Sequence, residues 1–72
     1  MITYRLEIVT SGIPEPLHTE IFDAPDELTA IVTARDFTKE LVDNPEEEHG
    51  ELYDGDGHVE TISVARDEES GR

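Results

Sequence analysis

The sequence has no cysteine, no tryptophan and a single lysine among its 72 residues. Without cysteine the chain can form no disulfide, no thiolate metal site and no thiol nucleophile. It also lacks any apolar run approaching the roughly 20 residues that span a bilayer, and residues 1–6 lack the basic and then apolar pattern of a signal peptide. We therefore expect a cytoplasmic protein with no membrane partner.

Positive charge is also scarce, since five Lys and Arg face nineteen Asp and Glu, for a formal net charge of −14. A surface of this sign repels phosphates, so direct binding of nucleic acid is not expected. The residues that stand out are the cations Arg5, Arg35, Arg66, Arg72 and Lys39, and the acidic runs Glu46-Glu47-Glu48 and Asp67-Glu68-Glu69. In this acidity and this preference for arginine, the chain resembles small acidic proteins of halophilic prokaryotes. The resemblance implies a salty environment and no particular activity.

Alternation of apolar and polar residues predicts four strands. Residues 2–9 alternate cleanly, with Ile2, Tyr4, Leu6 and Ile8 on one side, which predicts a strand with one buried face. Residues 17–22 alternate again after a segment, 10–16, whose glycine and two prolines predict a loop, so an antiparallel hairpin is expected. Residues 51–53 and 58–65 predict two further strands, joined by a tight turn over Asp54-Gly55-Asp56-Gly57.

A helix is predicted between the two hairpins. Asp23 is expected to cap its first turn, with Pro25 tolerated there, and Asn44-Pro45 is expected to stop it after Val42 or Asp43. Its apolar stripe, with Thr38 and Val42 at the edge, comprises Ala30, Ile31, Ala34, Phe37 and Leu41. Residues 45–50 then read as a solvated acidic link.

These elements predict an α+β domain of two layers, in which one helix packs on one face of a mainly antiparallel four-stranded sheet in the order ββαββ. The domain is expected to cover residues 1–66, followed by a disordered acidic tail over 67–72. The uncovered face of the sheet should then display Arg5, Glu7, His18, Glu20, Glu51, Tyr53, Thr61 and Ser63.

No motif predicts a catalytic, cofactor or metal site. His18, His49 and His58 are far apart in sequence and form no ligand pair at helical spacing. The Asp54-Gly55-Asp56-Gly57 turn begins like a calcium loop, but Val59 and Ala65 stand where that loop needs glycine and glutamate. A domain this small has little room for a ligand-binding pocket. We therefore predict no enzyme and no cofactor, with a small enzyme or ligand-binding domain whose site is not visible in the sequence as an alternative.

One flank of the helix is a candidate partner interface. Leu28 and Val32 lie off the apolar stripe, on the side where Arg35 and Lys39 also project. They could contact a partner, or they could be single surface residues partly covered by a loop or by the stems of the two cations.

The acidity itself allows three explanations. It could reflect solubility in high salt, mimicry of nucleic acid, or binding of another protein or a second copy. The acidic surface expected to matter consists of Glu7, Glu20, Glu46, Glu47, Glu48 and Glu51. The sequence thus predicts a salt-adapted, non-enzymatic protein-interaction module that self-associates or binds another protein, and the alternative is a nucleic-acid-mimicking inhibitor of a DNA- or RNA-binding protein.

Overall fold

The computed structural model describes residues 1–55 and 57–64. Along the chain these form β1 (Ile2–Thr10), β2 (Ile13–Ala24), α1 (Glu27–Leu41), β3 (Glu48–Asp54) and β4 (Gly57–Ile62). Every pair of neighbouring strands is antiparallel, and the order across the sheet is β2-β1-β3-β4. The predicted α+β class, with a four-stranded antiparallel sheet and one helix, is confirmed. The predicted tail 67–72 and the domain end at residue 66 lie outside the described residues.

The hydrophobic core lies where α1 contacts the strands. Alternate residues of β1 supply its centre, because Tyr4, Leu6 and Ile8 are at most 2% exposed. Leu52 of β3 pairs opposite Leu6 and is fully buried as well. The remaining buried core residues are Ala24, Ala30, Ala34 and Ile62, with Phe22, Ile31, Phe37, Leu41, Val42 and Val59 packed around them.

The helix lies close against the sheet at Thr38, which is fully buried. Its hydroxyl donates to the carbonyl of Ala34 at 2.7 Å. A Cβ atom on Gly50 of β3 would lie only 2.6 Å from Thr38 Oγ1 and 3.1 Å from Leu6 Cδ1, so this packing requires glycine. The sequence analysis was wrong to place Thr38 at the edge of the stripe and Gly50 in a solvated link, because small residues bring the helix onto the sheet at this point.

The first hairpin is tighter than predicted. Its turn is Ser11-Gly12, with Gly12 at φ +83°, so the predicted loop over 10–16 is wrong. The register jumps from Ile8 opposite His18 to Thr10 opposite Ile13, which leaves residues 14–17 as an irregularity in β2. Two prolines are tolerated there because β2 is an edge strand that pairs on one side only.

The N-cap of the helix lies three residues later than expected. Asp26, with extended backbone, is the N-cap, and its side chain accepts from the Thr29 N–H at 2.8 Å. This bond lowers the pKa of Asp26 below its ordinary value. Asp23 instead accepts from the Thr3 hydroxyl at 2.8 Å, because it lies within β2 and opposite that residue.

The register also corrects the predicted face of two β2 residues. Glu20 pairs opposite Leu6 and His18 opposite Ile8, so both lie on the side of the sheet that packs against α1. The alternation of β2 is anchored by Phe22, whose ring lies 5.9 Å from that of Tyr4 and 5.6 Å from that of Phe37. The side chains at 17, 19 and 21 therefore face the other way.

Candidate interaction surface

The side of the sheet opposite the core presents a continuous set of side chains, which we call the open face. Cross-strand pairing places Arg5 between Ile21 and Tyr53, and Glu7 between Thr19 and Glu51. The same register and alternation assign to this face Thr3, Arg5, Glu7, Val9, Leu17, Thr19, Ile21, Asp23, His49, Glu51, Tyr53, His58 and Thr61. Of the residues predicted here, His18 and Glu20 are the ones that the register moves to the other side.

Glu51 is the centre of a hydrogen-bonded cluster on the open face. Its Oε2 lies 2.7 Å from His49 Nε2, and its Oε1 lies 2.6 Å from His58 Nε2. The Thr61 hydroxyl donates to Oε1 at 2.8 Å. An ionised carboxylate can only accept, so both histidines donate through Nε2. Three donors from β3 and β4 thus converge on one carboxylate.

The electrostatic state of Glu51 follows from this geometry. Partial burial raises the pKa of its carboxyl, but the hydrogen bonds from Thr61, His58 and His49 outweigh burial and leave that pKa below its ordinary value. The charged form is therefore stabilised in place, by donors that belong to the same face.

Arg5 forms a second cluster beside the first. Its Nε donates to Glu7 Oε2 at 2.8 Å, and its guanidinium carbon lies 4.6 Å from the centre of the Tyr53 ring. Tyr53 also contacts His58 in an edge-on arrangement, with ring centres 5.4 Å apart. It therefore links Arg5 to the Glu51 cluster. A guanidinium stacked on an aromatic ring and bonded to a carboxylate is held in one orientation.

Each carboxylate assigned to the open face has a donor on that face. Glu7 accepts from Arg5, Asp23 from Thr3, and Glu51 from its three donors. With three carboxylates against one guanidinium and neutral histidines, the face has a formal charge of −2, while the whole chain carries −14. The open face thus carries only a small part of the net negative charge of the chain.

Aliphatic side chains lie exposed beside these clusters. Ile21 is 66% exposed and Leu17 is 39% exposed, both on β2. At one end of the face, a shallow depression of about 220 Å³ adjoins Ile21 and Arg5. Its remaining lining is Thr3, Tyr4, Asp54 and Gly55. The face therefore combines apolar side chains with hydrogen-bonded polar ones, as protein interfaces do.

The cluster does not have the geometry of a nucleophilic triad. Thr61 Oγ1 lies 3.3 Å from His58 Nε2, the same nitrogen that bonds Glu51. A relay needs the nucleophile and the carboxylate on opposite nitrogens of the imidazole. Among residues 1–55 and 57–64, no three His, Asp or Glu side chains are grouped so that they could hold a metal ion.

The predicted flank of the helix is exposed. Leu28 is 73% exposed and Val32 is 55% exposed, and Arg35 and Lys39 are exposed beside them. Their exposed fractions exceed those of Ile21 and Leu17 on the open face, so the flank is an exposed apolar surface as well. A partner contact at the flank stays a prediction.

The acidic residues predicted to act together are not brought together. Glu7 and Glu51 pair directly across β1 and β3, whereas Glu20 lies on the other side of the sheet. In the run after α1, the backbone N–H groups of Glu47 and Glu48 donate to Asn44 O at 3.0 and 2.9 Å and fold the run into a local turn. Glu48 Oε1 also accepts from the Asp43 N–H at 3.1 Å, and Glu46 N–H donates to Asn44 Oδ1 at 3.3 Å.

Sequence reasoning missed the convergence of His49, His58 and Thr61 on Glu51, and the exposure of Ile21. The predicted hairpin was a signal for the pairing of Tyr53 with His58, but Thr61 lies opposite Glu51 because the register shifts between Leu52 and Tyr53, which no local feature predicted. β1 and β3 are adjacent in the sheet, which places Arg5 beside Tyr53, but no local feature of the sequence predicted this adjacency.

Comparison with protein-family models, curated proteins and solved structures finds no match for this chain. In the part of the chain that the structure describes, no helix combines the length and the hydrophobicity needed to cross a membrane. The function therefore has to be argued from the geometry of the described surfaces.

Proposed function

We propose that this chain is a two-layer, salt-adapted, non-enzymatic module of the cytoplasm that binds protein through its open face. The observation that carries the proposal is the state of the carboxylates there: Glu7, Asp23 and Glu51 are each bonded to a side chain of the same face. A helix on one side and a partner on the other would complete the burial of the sheet.

Dehydration of the carboxylates is the main energetic cost of covering the open face. A charged group taken out of water costs several kcal/mol unless its hydrogen bonds are replaced. On the open face some of those bonds are already made by protein donors, which lowers the cost of covering its carboxylates. Exposed Ile21 and Leu17 supply apolar surface whose burial favours association at about 25 cal/mol per Å².

The exposed carboxylates outside the open face have a different proposed role. Glu40 and Glu60 are exposed, and the described residues offer their side chains no hydrogen-bond donor or cation. Carboxylates of this kind keep a protein hydrated and repel other copies, while salt screens the repulsion. The open face is thus proposed to bind protein, and the exposed carboxylates elsewhere are proposed to keep the domain hydrated.

Nucleic-acid mimicry gains no support from the geometry. A mimic needs a row of carboxylates available to a partner's cations, but Glu7 and Glu51 are already bonded and Glu20 is on the other side of the sheet. Thr61 and Glu51 contact the same nitrogen of His58, so the geometry likewise gives no support to enzymatic activity.

The test is site-specific photo-crosslinking in host extract. The photo-reactive residue p-benzoylphenylalanine would replace Ile21 on the open face or, as a matched control, exposed Thr29 on α1. We expect protein adducts from position 21 and few from position 29, identified by mass spectrometry. Adducts at position 29 alone, or none at position 21, would overturn the proposed function.

A further inference from the structure

We propose that Pro14 and Pro16 protect the outer edge of β2, so that the sheet does not extend into other copies of this chain by strand pairing. This inference goes beyond the proposed function, because it concerns an edge of the sheet and does not depend on what binds the open face. Without that protection, the longest strand among the described residues would present a row of unpaired backbone groups to other copies.

β2 is the strand that most needs such protection. It lies at one end of the sheet order β2-β1-β3-β4, so its outer side has no neighbouring strand among the described residues. With 12 residues it is twice as long as β4, the six-residue strand at the opposite edge. Residues 13–19 are all exposed, so another chain can reach this edge as easily as solvent does. A long and exposed edge strand is where sheets of different molecules join.

The two prolines interrupt this edge. Proline has no N–H, so neither Pro14 nor Pro16 can donate to a strand placed alongside. The register with β1 also jumps here, so residues 14–17 pair with no residue of that strand. The irregular stretch separates Ile13 from the regularly paired residues 18–24, and β2 therefore does not offer one continuous ladder of donors and acceptors.

The opposite edge of the sheet is protected by other means. β4 is short, and its pairing with β3 leaves Val59 as an extra residue, because the register shifts between Leu52 and Tyr53. Exposed Glu60 adds a charge to the same strand. Short length, a bulge and a charge each oppose edge pairing. Since β2 has the length that β4 lacks, we assign its protection to the prolines.

The net charge of the chain explains why a device in the backbone is needed. At a formal charge of −14, copies repel each other in dilute salt, and this repulsion by itself opposes pairing. The Debye length falls from about 10 Å at 0.1 M to about 3 Å at 1 M. At the spacing of about 4.8 Å between paired strands, the repulsion is therefore largely screened in concentrated salt. The missing N–H groups of the prolines do not depend on salt.

The experiment replaces both prolines by threonine, which restores two N–H groups, favours strands and leaves the charge unchanged. Sedimentation equilibrium at 0.1 and 1 M NaCl compares the Pro14→Thr, Pro16→Thr double variant with the wild type. At 1 M we expect a weight-average mass at least about twice that of the wild type, with a smaller excess at 0.1 M. Hydrogen exchange in the assembled variant should be slowed at residues 13–19. Pro25→Thr is the matched control, because it makes the same change in the bend between β2 and α1 and should sediment as the wild type does.

A folded double variant with the mass of the wild type at both salts would refute the proposal. Equal association of Pro25→Thr, or exchange that is slowed outside β2 instead, would refute it as well. If the double variant is unfolded by circular dichroism, the single variants Pro14→Thr and Pro16→Thr replace it, and each should exceed the wild-type mass at 1 M. Single variants that are also unfolded would show that the prolines serve the fold itself, which overturns their role at the edge.

Discussion

The two faces of this sheet are made from the same strands but differ in burial and in polarity. On the core side Leu6, Ile8 and Leu52 are fully buried and touch a helix lined with small residues. On the open face their immediate neighbours in sequence, among them Glu7 and Glu51, are bonded to donors of the same face and still reach water. Stability should therefore depend on one face and association on the other, and single substitutions should separate the two.

The largest effect is expected from Gly50→Ala on the core side. The added Cβ would lie 2.6 Å from Thr38 Oγ1, in a contact that the buried and hydrogen-bonded Thr38 cannot relieve by rotating into solvent. Overpacking of this kind costs about 1–3 kcal/mol of unfolding free energy, which urea denaturation would measure.

A matched control and a rescue sharpen this test. Gly55→Ala makes the same chemical change where nothing lies within 4 Å, so its effect should stay within about 0.5 kcal/mol. Thr38→Ala removes the obstructing hydroxyl, so the Gly50→Ala, Thr38→Ala double variant should recover part of the loss, with a coupling of about 1 kcal/mol. Strictly additive losses would show that the helix does not approach the sheet at this point.

A smaller effect is expected from Glu51→Ala on the open face. The variant removes the acceptor of three side-chain donors, but His49 and His58 remain partly exposed and can bond water instead, so the loss should be about 1 kcal/mol. Glu60→Ala is the control, because it deletes the same charge from the neighbouring strand β4.

The pH dependence of this difference has a definite sign. The pKa of Glu51 is lowered in the folded state, so its contribution is complete above the ordinary value of 4.5 and is lost as pH falls through the folded pKa. The gap in thermal stability between wild type and Glu51→Ala should thus be full at pH 7 and shrink below about pH 4.5. A gap that did not shrink below about pH 4.5 would contradict the hydrogen-bonded carboxylate.

The sequence predicted the elements better than their ends. Period-two alternation located β1 and the 3.6-residue period located α1, because each buries one side of a regular element. The edge position of β2 could not be predicted from local pattern, and it is this position that lets a strand contain Pro14 and Pro16. The N-cap is Asp26 rather than the predicted Asp23 for a similar reason. Asp23 bonds Thr3 because two strands pair in the fold, and the residues around Asp23 do not reveal that pairing.

The candidate surface was harder to predict than the fold. Arg5, Glu7, Glu51, Tyr53 and Thr61 were assigned to the open face from alternation alone, and the register agrees. His18 and Glu20 were misassigned, because alternation gives two sets without saying which one packs on the helix; Phe22 decides that through its ring contacts. The bonding of Glu51 depends on strand order, which no local feature encodes.

The smallest effect is expected on the flank of the helix, where Leu28→Ser and Val32→Ser would be combined. Both side chains are more than half exposed, so each substitution should change unfolding free energy by less than about 0.5 kcal/mol. If the open face binds the partner, the double variant should also give the same protein adducts from position 21 as the otherwise unchanged chain. A folded double variant that had lost these adducts would place the interface at Leu28 and Val32, and would leave the bonded carboxylates of the open face as a stabilising feature alone.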